Sequence, residues 1–308
     1  MLRAALPDAQ DRALLQWFGG YLLYPSCKHE VFLVSYGPGG TGKSTVSDAI
    51  MGALGAGART VLSMAQICAE GQGAYSLPSM QYVLVNMGTE MDTIKIGDSA
   101  NFKRLVSGEP IESRSIYSKP FVMTTLAKLW FNSNGLPRFK NGTDAELRRS
   151  RFLFFNCKVK DKDVTLKERR AVERDGMLSW LVQALQLVVQ GMAAPEGGMG
   201  SVGVKNLFGI SNDPVANFIK ECCVLKEGEE VLKDVLHRAY EAWMGDQGFS
   251  QKTKDQLCQN LLQGNPTIRP LRRHKDRSLE SGKVLVAGRY LTGISLNEAG
   301  AGLLEEIE

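Results

Sequence analysis

Three histidines, His29, His237 and His274, stand far apart, and six cysteines include no C-x-x-C pair, so the chain lacks a ligand set with zinc-site spacing. Cys222 and Cys223 are adjacent, beside Phe218 and Ile219, and read as small buried residues of a helix. Free thiols of this kind suit a reducing compartment. The net charge is only +4 over 308 residues, so an attraction to nucleic acid has to come from a local patch and not from the overall balance. No apolar run reaches membrane-spanning length, and the N-terminus, Met1-Leu2-Arg3 followed by Asp8, Asp11 and Arg12, lacks the apolar core of a secretory signal. No membrane partner and a cytoplasmic location are therefore expected. Internal repeats are absent too. With 44% hydrophobic and 23% charged residues, the composition is that of a globular protein and excludes disorder as the default.

What is present is a glycine-rich run, Gly37-Pro38-Gly39-Gly40-Thr41-Gly42-Lys43-Ser44, that fulfils the pattern G-x-x-x-x-G-K-[ST], with Thr45 following. Before it, Glu30 to Tyr36 reads as a short buried strand, and Ser44 to Leu54 reads as a helix. The glycines let successive backbone N–H groups turn toward a polyphosphate, and the helix N-terminus adds partial positive charge. Lys43 is placed to reach the terminal phosphates and Ser44 to ligate Mg2+. The motif in this setting predicts that the chain binds a nucleoside triphosphate, ATP, with magnesium.

Apolar runs at 59–63, 82–87, 126–132 and 151–156 add four further strands, interleaved with helical stretches, which predicts an α/β fold with a five-stranded parallel sheet. The expected organisation is a lead-in helix within 1–29, a nucleotide-binding core over 30–160, and a helical extension over 161–195. A linker over 196–209 follows, marked by the Pro/Gly cluster that begins at Ala194-Pro195, and then a C-terminal domain over 210–308. Helices at about 213–224, 229–245 and 251–263, followed by strand-like runs at 267–271 and 283–287, describe a winged-helix module.

Residues after the third strand bear on hydrolysis. Glu90 is a candidate to polarise an attacking water, and Glu90 or Asp92 to help hold magnesium. Asn134, in Trp130-Phe131-Asn132-Ser133-Asn134-Gly135, offers an amide that senses the terminal phosphate, with Asn132 in competition. Arg148 and Arg149 precede the fifth strand and are candidates to neutralise transition-state charge.

With these motifs the chain resembles the superfamily 3 DNA helicases, in particular the helicase part of phage, plasmid and satellite-element primase-helicases. The resemblance runs by motif from Gly37 to Asn156 and continues through Gly176-Met177-Leu178-Ser179-Trp180-Leu181. It extends to Asn217-Phe218-Ile219-Lys220-Glu221-Cys222-Cys223 and Ala239-Tyr240-Glu241-Ala242-Trp243. Its most specific part is the run from Phe102 to Pro120, similar to that family's channel hairpin, where Lys119 or Arg114 would grip phosphates. The resemblance implies an AAA+ motor that assembles as a homo-hexamer around single-stranded DNA, with Lys43, Ser44, Glu90 and Asn134 on its nucleotide motifs. Arg148 or Arg149 would be an arginine finger acting across a subunit boundary, in a bacterial host or phage-infected cell. About thirty residues precede the glycine run, which leads to the expectation of a separate primase or polymerase partner.

In the C-terminal domain Arg272, Arg273 and Lys275 gather near the expected wing, which suits duplex DNA, although a winged helix also binds protein. The leading expectation is an ATP-dependent helicase that serves DNA replication. The alternative is an ATP-controlled initiator or loader without processive unwinding.

Overall fold

In the computed structural model, the described residues are 1–68, 71–89, 95–96, 100–115, 117–139, 144–159, 165–247, 253–273, 277–278 and 284–305. They divide into two compact units, Met1–Gly209 and Ile210–Glu308. Among the described residues, no helix is long and apolar enough to cross a membrane.

The first unit is built on a parallel five-stranded sheet. Its order is Arg59–Thr60, Val85–Thr89, Lys128–Ser133, Phe32–Tyr36, Ser150–Phe154. Every residue of Lys128–Ser133 is buried, as are Phe32 to Ser35, because helices and loops cover both faces. This is why the central strands read as unbroken apolar runs. Register decides what meets at the sheet's C-terminal edge: Ser35 pairs with Asn132 and Tyr36 with Ser133, while Thr89 pairs with Asn132 from the other side. Residues that follow three neighbouring strands are thus delivered to one place.

One face is filled by Phe102, Leu105, Ile67, Met80, Phe139 and Phe208, the other by Leu14, Trp17, Phe18, Ile50, Leu181 and Val188. The helix Ala9–Leu23 starts at Asp8, whose Oδ1 accepts from Gln10 N at 2.8 Å. It crosses the helix Arg174–Val189 so closely that a Cβ on Gly20 would lie 2.5 Å from the Leu185 amide nitrogen. Glycine is required there by contact.

Most of the stretch 196–209, expected as a linker, belongs to the helix Met199–Ser211, with Val204 and Phe208 buried in the sheet's core. Buried Asp11 holds it in place: its Oδ1 accepts from Gly198 N and from Ser201 Oγ, both at 2.7 Å, and Ser201 Oγ accepts from Phe154 N at 2.9 Å. The Pro/Gly cluster is therefore the start of a docked helix, and the division into units falls after Gly209.

At the opposite end of the strand from Asn132, Lys128 is only 2% exposed. Its Nζ donates to Tyr24 O and lies 5.0 Å from the Tyr21 ring centroid. Burial pushes its pKa down to about 8, opposed by the neighbouring Cys27. The unfolded chain then binds the extra proton between about 8 and the ordinary value near 10.5, so this lysine makes stability rise with pH across that window. Cys27, raised above its ordinary value by burial, works in the other direction. Denaturant titrations from pH 7 to 10.5 on the native protein and Lys128→Met should show the native protein gaining roughly 2 to 3 kcal/mol on the variant. A constant difference would contradict this account of Lys128.

In the second unit, the helix Pro214–Cys222 is capped by Asp213, whose Oδ1 accepts from Val215 N at 2.9 Å and Ala216 N at 3.1 Å. There follow the strand Cys223–Leu232, the helices Lys233–Gln247 and Lys254–Gly264, the strands Arg269–Arg273 and Gly288–Leu296, and the helix Glu298–Glu305. Antiparallel pairing gives the order Cys223–Leu232, Gly288–Leu296, Arg269–Arg273, packed with the helices around Phe218, Tyr240, Leu236, Leu257, Leu261 and Leu291. The strand Cys223–Leu232 takes up the end of one stretch expected as helix (213–224), the start of the next (229–245) and the gap between them. Its middle, Lys226-Glu227-Gly228-Glu229-Glu230, is exposed or half-buried and polar, and its register breaks between Leu225 and Glu230, so no period-two pattern marks it. Cys222 ends a helix and Cys223 begins this strand, so the two are not one helical pair. The final strand also falls later than expected, at Gly288–Leu296; within the 283–287 run, Val284–Leu285 pairs instead with Arg277–Ser278.

Candidate functional site

The glycine run forms the loop that joins the strand Phe32–Tyr36 to the helix Lys43–Leu54. Gly37 has φ 150° and its Cβ position lies 2.0 Å from Phe155 O, so no side chain fits. Gly40 and Gly42 take φ 78° and 90°, which turns the loop in the left-handed sense into the helix. Thr41 Oγ1 closes the turn by donating to Pro38 O at 2.8 Å.

Lys43 bends back under this loop. Its Nζ donates to Gly37 O at 2.5 Å, Pro38 O at 2.8 Å and Asn134 Oδ1 at 2.9 Å. These three acceptors are neutral, and burial lowers the pKa of the ammonium below its usual value. The loop thus holds a positive charge beside uncharged partners, an arrangement that an incoming anion improves. A cavity of about 370 Å³ opens above it, lined by Gly39 to Thr45 and by Asn132, Ser133 and Asn134.

The two candidate asparagines both line this cavity but do different things. Asn134 touches Lys43. Asn132, 8% exposed, donates through Nδ2 to Ser47 Oγ at 3.0 Å. Ser47 uses its proton on Ser44 O at 3.1 Å, which fixes the amide orientation and leaves Asn132 Oδ1 buried without a partner among the described residues. Sequence reasoning missed Ser47, whose signal was weak: a serine one helical turn into a helix, meaningful only once Asn132 faces it. Glu90 and Asp92 lie outside the described residues; Thr89, which precedes Glu90 in the chain, is paired with Asn132.

The arginines separate clearly. Arg149, at the end of the helix Asp144–Arg149, donates to Glu30 Oε2 through Nε at 3.1 Å and Nη2 at 2.7 Å, and reaches Ser107 Oγ at 3.3 Å. Arg148 is exposed, and no ion pair among the described residues engages it. The helix that carries both is anchored by Glu146, 2% exposed, paired with Lys103 at 2.9 Å.

The run 111–123 is an antiparallel hairpin of Ile111–Ser113 and Phe121–Met123. Arg114 and Lys119 are both exposed in its turn, but Arg114 Nε is already given to Ser118 O at 3.0 Å.

In the second unit, Arg273 forms a two-pronged pair with Glu230, with Nη2 2.6 Å from Oε1, and its guanidinium carbon lies 5.7 Å from the Tyr290 ring centroid. It is a structural residue of the sheet. Arg272, by contrast, lies directly opposite Arg289 on the neighbouring strand, both exposed. Like charges facing each other across strands are unfavourable, and an anion relieves them. Lys275 lies outside the described residues.

Two family models match parts of the chain: a family of unknown function, DUF5906, over residues 35–149, and Poxvirus D5 protein-like over residues 210–269. The first falls within the first unit and the second begins where the second unit begins. No curated protein matches the sequence. Among solved structures, the A form apo structure of the NrS-1 C terminal region is similar with TM-score 0.54 and 13% identity, over 87% of this chain and 62% of that one. The chain thus spans less than two thirds of that structure's length, and the likeness is one of fold. The apo structure of NrS-1 C terminal region (305-718) gives TM-score 0.48 and 14% identity, over 96% and 74%.

Proposed function

We propose that this chain is an ATP-hydrolysing DNA helicase motor that works as a ring of subunits on single-stranded DNA in the replication of a phage, plasmid or satellite element. The observation that carries the reading is the Lys43 ammonium, held by neutral oxygens at the floor of a glycine-lined cavity with Asn134, just past the end of the adjoining strand, against it. A triphosphate takes over the role of those oxygens. The loop amides and Lys43 bind its phosphates, and Asn134, released from Lys43, is free to read whether the terminal phosphate is there.

The donor set suits magnesium: Ser44 and Thr45 line the cavity, and the buried Asn132 Oδ1 lacks a donor among the described residues. Magnesium, when bound, would supply positive charge that offsets the negative charge of the phosphates. Ser44 would hold it, with Glu90 or Asp92, and Glu90 would orient the attacking water. Arg148, exposed and in no ion pair among the described residues, is the better candidate than Arg149 to reach a neighbouring subunit's nucleotide. The exposed turn of the hairpin formed by Ile111–Ser113 and Phe121–Met123 is the part proposed to meet the threaded strand, through Lys119.

The order of one helix, a strand, two helices and two paired strands in the second unit supports the reading as a winged helix, and we assign it to duplex DNA through Arg272 and Arg289. Arg272→Glu should place opposite charges across the strands and leave thermal stability equal or slightly raised, while weakening binding to a short duplex several-fold. Anisotropy titrations at two salt concentrations check this; unchanged affinity would remove the duplex surface. That arginine pair also favours a second reading, an ATP-controlled initiator or loader. A partner primase or polymerase fits either.

The test is ATP hydrolysis with and without single-stranded DNA, read beside the mass of the protein in solution with nucleotide and displacement of a strand from a fork. Stimulated hydrolysis, a ring-sized particle and strand displacement support the motor. ATP-dependent DNA binding with no displacement at any fork geometry supports the loader. A monomer indifferent to oligonucleotides refutes both.

A further inference from the structure

Tyr117 sits at the tip of the hairpin, between Arg114 and Lys119. The residue is fully exposed. Its backbone has φ 62°, in the left-handed region that a bulky residue adopts only at a cost. A residue free to relax would leave that region, and the turn does not let it. Ser118 N donates to Ser115 O at 3.0 Å, Ser115 N to Ser118 Oγ at 3.0 Å, and Ser118 Oγ to Ser115 O at 2.8 Å. Arg114 Nε adds a bond to Ser118 O at 3.0 Å, and its guanidinium carbon lies 5.9 Å from the Tyr75 ring centroid. Below the turn, Ile111, Ser113 and Met123 are buried and seat the hairpin on the unit.

The result is a planar ring on a stiff support, strained in backbone and contributing no buried surface to the fold. Strain of this kind persists where the surroundings over-determine it, and it clusters where a segment meets a ligand. What fits a bare aromatic face with an exposed ammonium two residues away is a partner offering a flat π-surface and an anion at short spacing. A single-stranded nucleic acid offers both in each nucleotide, whereas a duplex hides its base faces in the stack.

We infer that Tyr117 is a base-stacking platform for single-stranded nucleic acid, with Lys119 meeting the adjacent phosphate. This rests on the reading of the chain as a strand-binding motor and adds a contact to the base that the cationic residues do not supply. Stacking is indifferent to base identity, so the platform grips any sequence.

The test uses the full chain and a single-stranded DNA oligonucleotide carrying 2-aminopurine, whose emission falls when the base stacks. The unsubstituted protein and Tyr117→Phe should quench it and bind alike. Tyr117→Leu and Tyr117→Gly should lose the quenching and bind about tenfold more weakly or worse. DNA-independent ATP hydrolysis should be unchanged in all three variants. Tyr117→Gly should also melt at the same or a higher temperature, because glycine relieves the left-handed strain while removing the ring. If Tyr117→Leu binds and quenches like the unsubstituted protein, the stacking role is wrong and the motor reading survives. If Tyr117→Leu instead changes the mass in solution with strand binding intact, the ring is a contact between copies and the inference falls. If the unsubstituted protein does not bind the strand, both fall together.

Discussion

Lys43→Ala is expected to lower ATP hydrolysis by on the order of a hundredfold or more, with far-ultraviolet circular dichroism unchanged. Among the described residues that line the cavity, the ammonium is the one positive side-chain charge, and its present partners are two carbonyls and an amide oxygen. Its removal takes away the charge that opposes the phosphates without breaking an ion pair among those contacts. The cost to the fold should be small: the buried ammonium is already disfavoured, as its lowered pKa indicates, and the released oxygens face a cavity that water fills. Melting temperature should therefore move by no more than a few degrees. Undiminished hydrolysis in a folded Lys43→Ala protein would remove the nucleotide assignment altogether. The Asn134→Ala variant separates the sensor from the binder, because it leaves two of the three Lys43 contacts in place. Nucleotide binding is retained there while turnover falls.

The second large effect divides the two arginines. Arg148→Ala should reduce ATP turnover roughly a thousandfold with an unaltered melting temperature, since its side chain is exposed and engaged in no ion pair among the described residues. Mixing Arg148→Ala subunits with Lys43→Ala subunits should restore part of the activity, because each supplies the half-site the other lacks. Arg149→Ala should act differently. It strips Glu30 Oε2 of two donated hydrogen bonds and Ser107 of another, and it frees the chain segment just ahead of the strand Phe32–Tyr36. Its exposure is only 15%, against 43% for Glu30, so the expected loss is about 1 to 3 kcal/mol of stability, and mixing should not rescue it. If mixing rescues Arg149→Ala and leaves Arg148→Ala inactive, the roles are reversed. No rescue in either mixture would argue against a finger shared between subunits.

Much of the first unit was legible in advance because its signals are local. Buried parallel strands announce themselves as apolar runs, and all five runs expected as strands contain strands, with ends shifted by a few residues at most. The second unit was harder. The strand Cys223–Leu232 carries Lys226, Glu227, Glu229 and Glu230 and bulges between Leu225 and Glu230, so its sheet membership depends on the partner strand Gly288–Leu296 more than on its own pattern. The helix Met199–Ser211 was hidden by the glycines and proline ahead of it, and only Asp11, far away in the chain, explains why it docks.

Residue type and order alone determined which chemistry the chain carries: glycines where positive φ and close backbone approach are needed, a lysine at the start of a helix, asparagines at the end of a buried strand. These are properties of the local backbone and its neighbours, so they are written in consecutive letters. Tertiary structure alone decided which of two similar residues is engaged: Asn134 and not Asn132 on Lys43, Arg149 and not Arg148 on Glu30, Arg273 and not Arg272 on Glu230. A partner in each of these pairs lies tens of residues or more away, and the choice turns on which way a side chain faces after the sheets close. Such an orientation exists only in the folded chain.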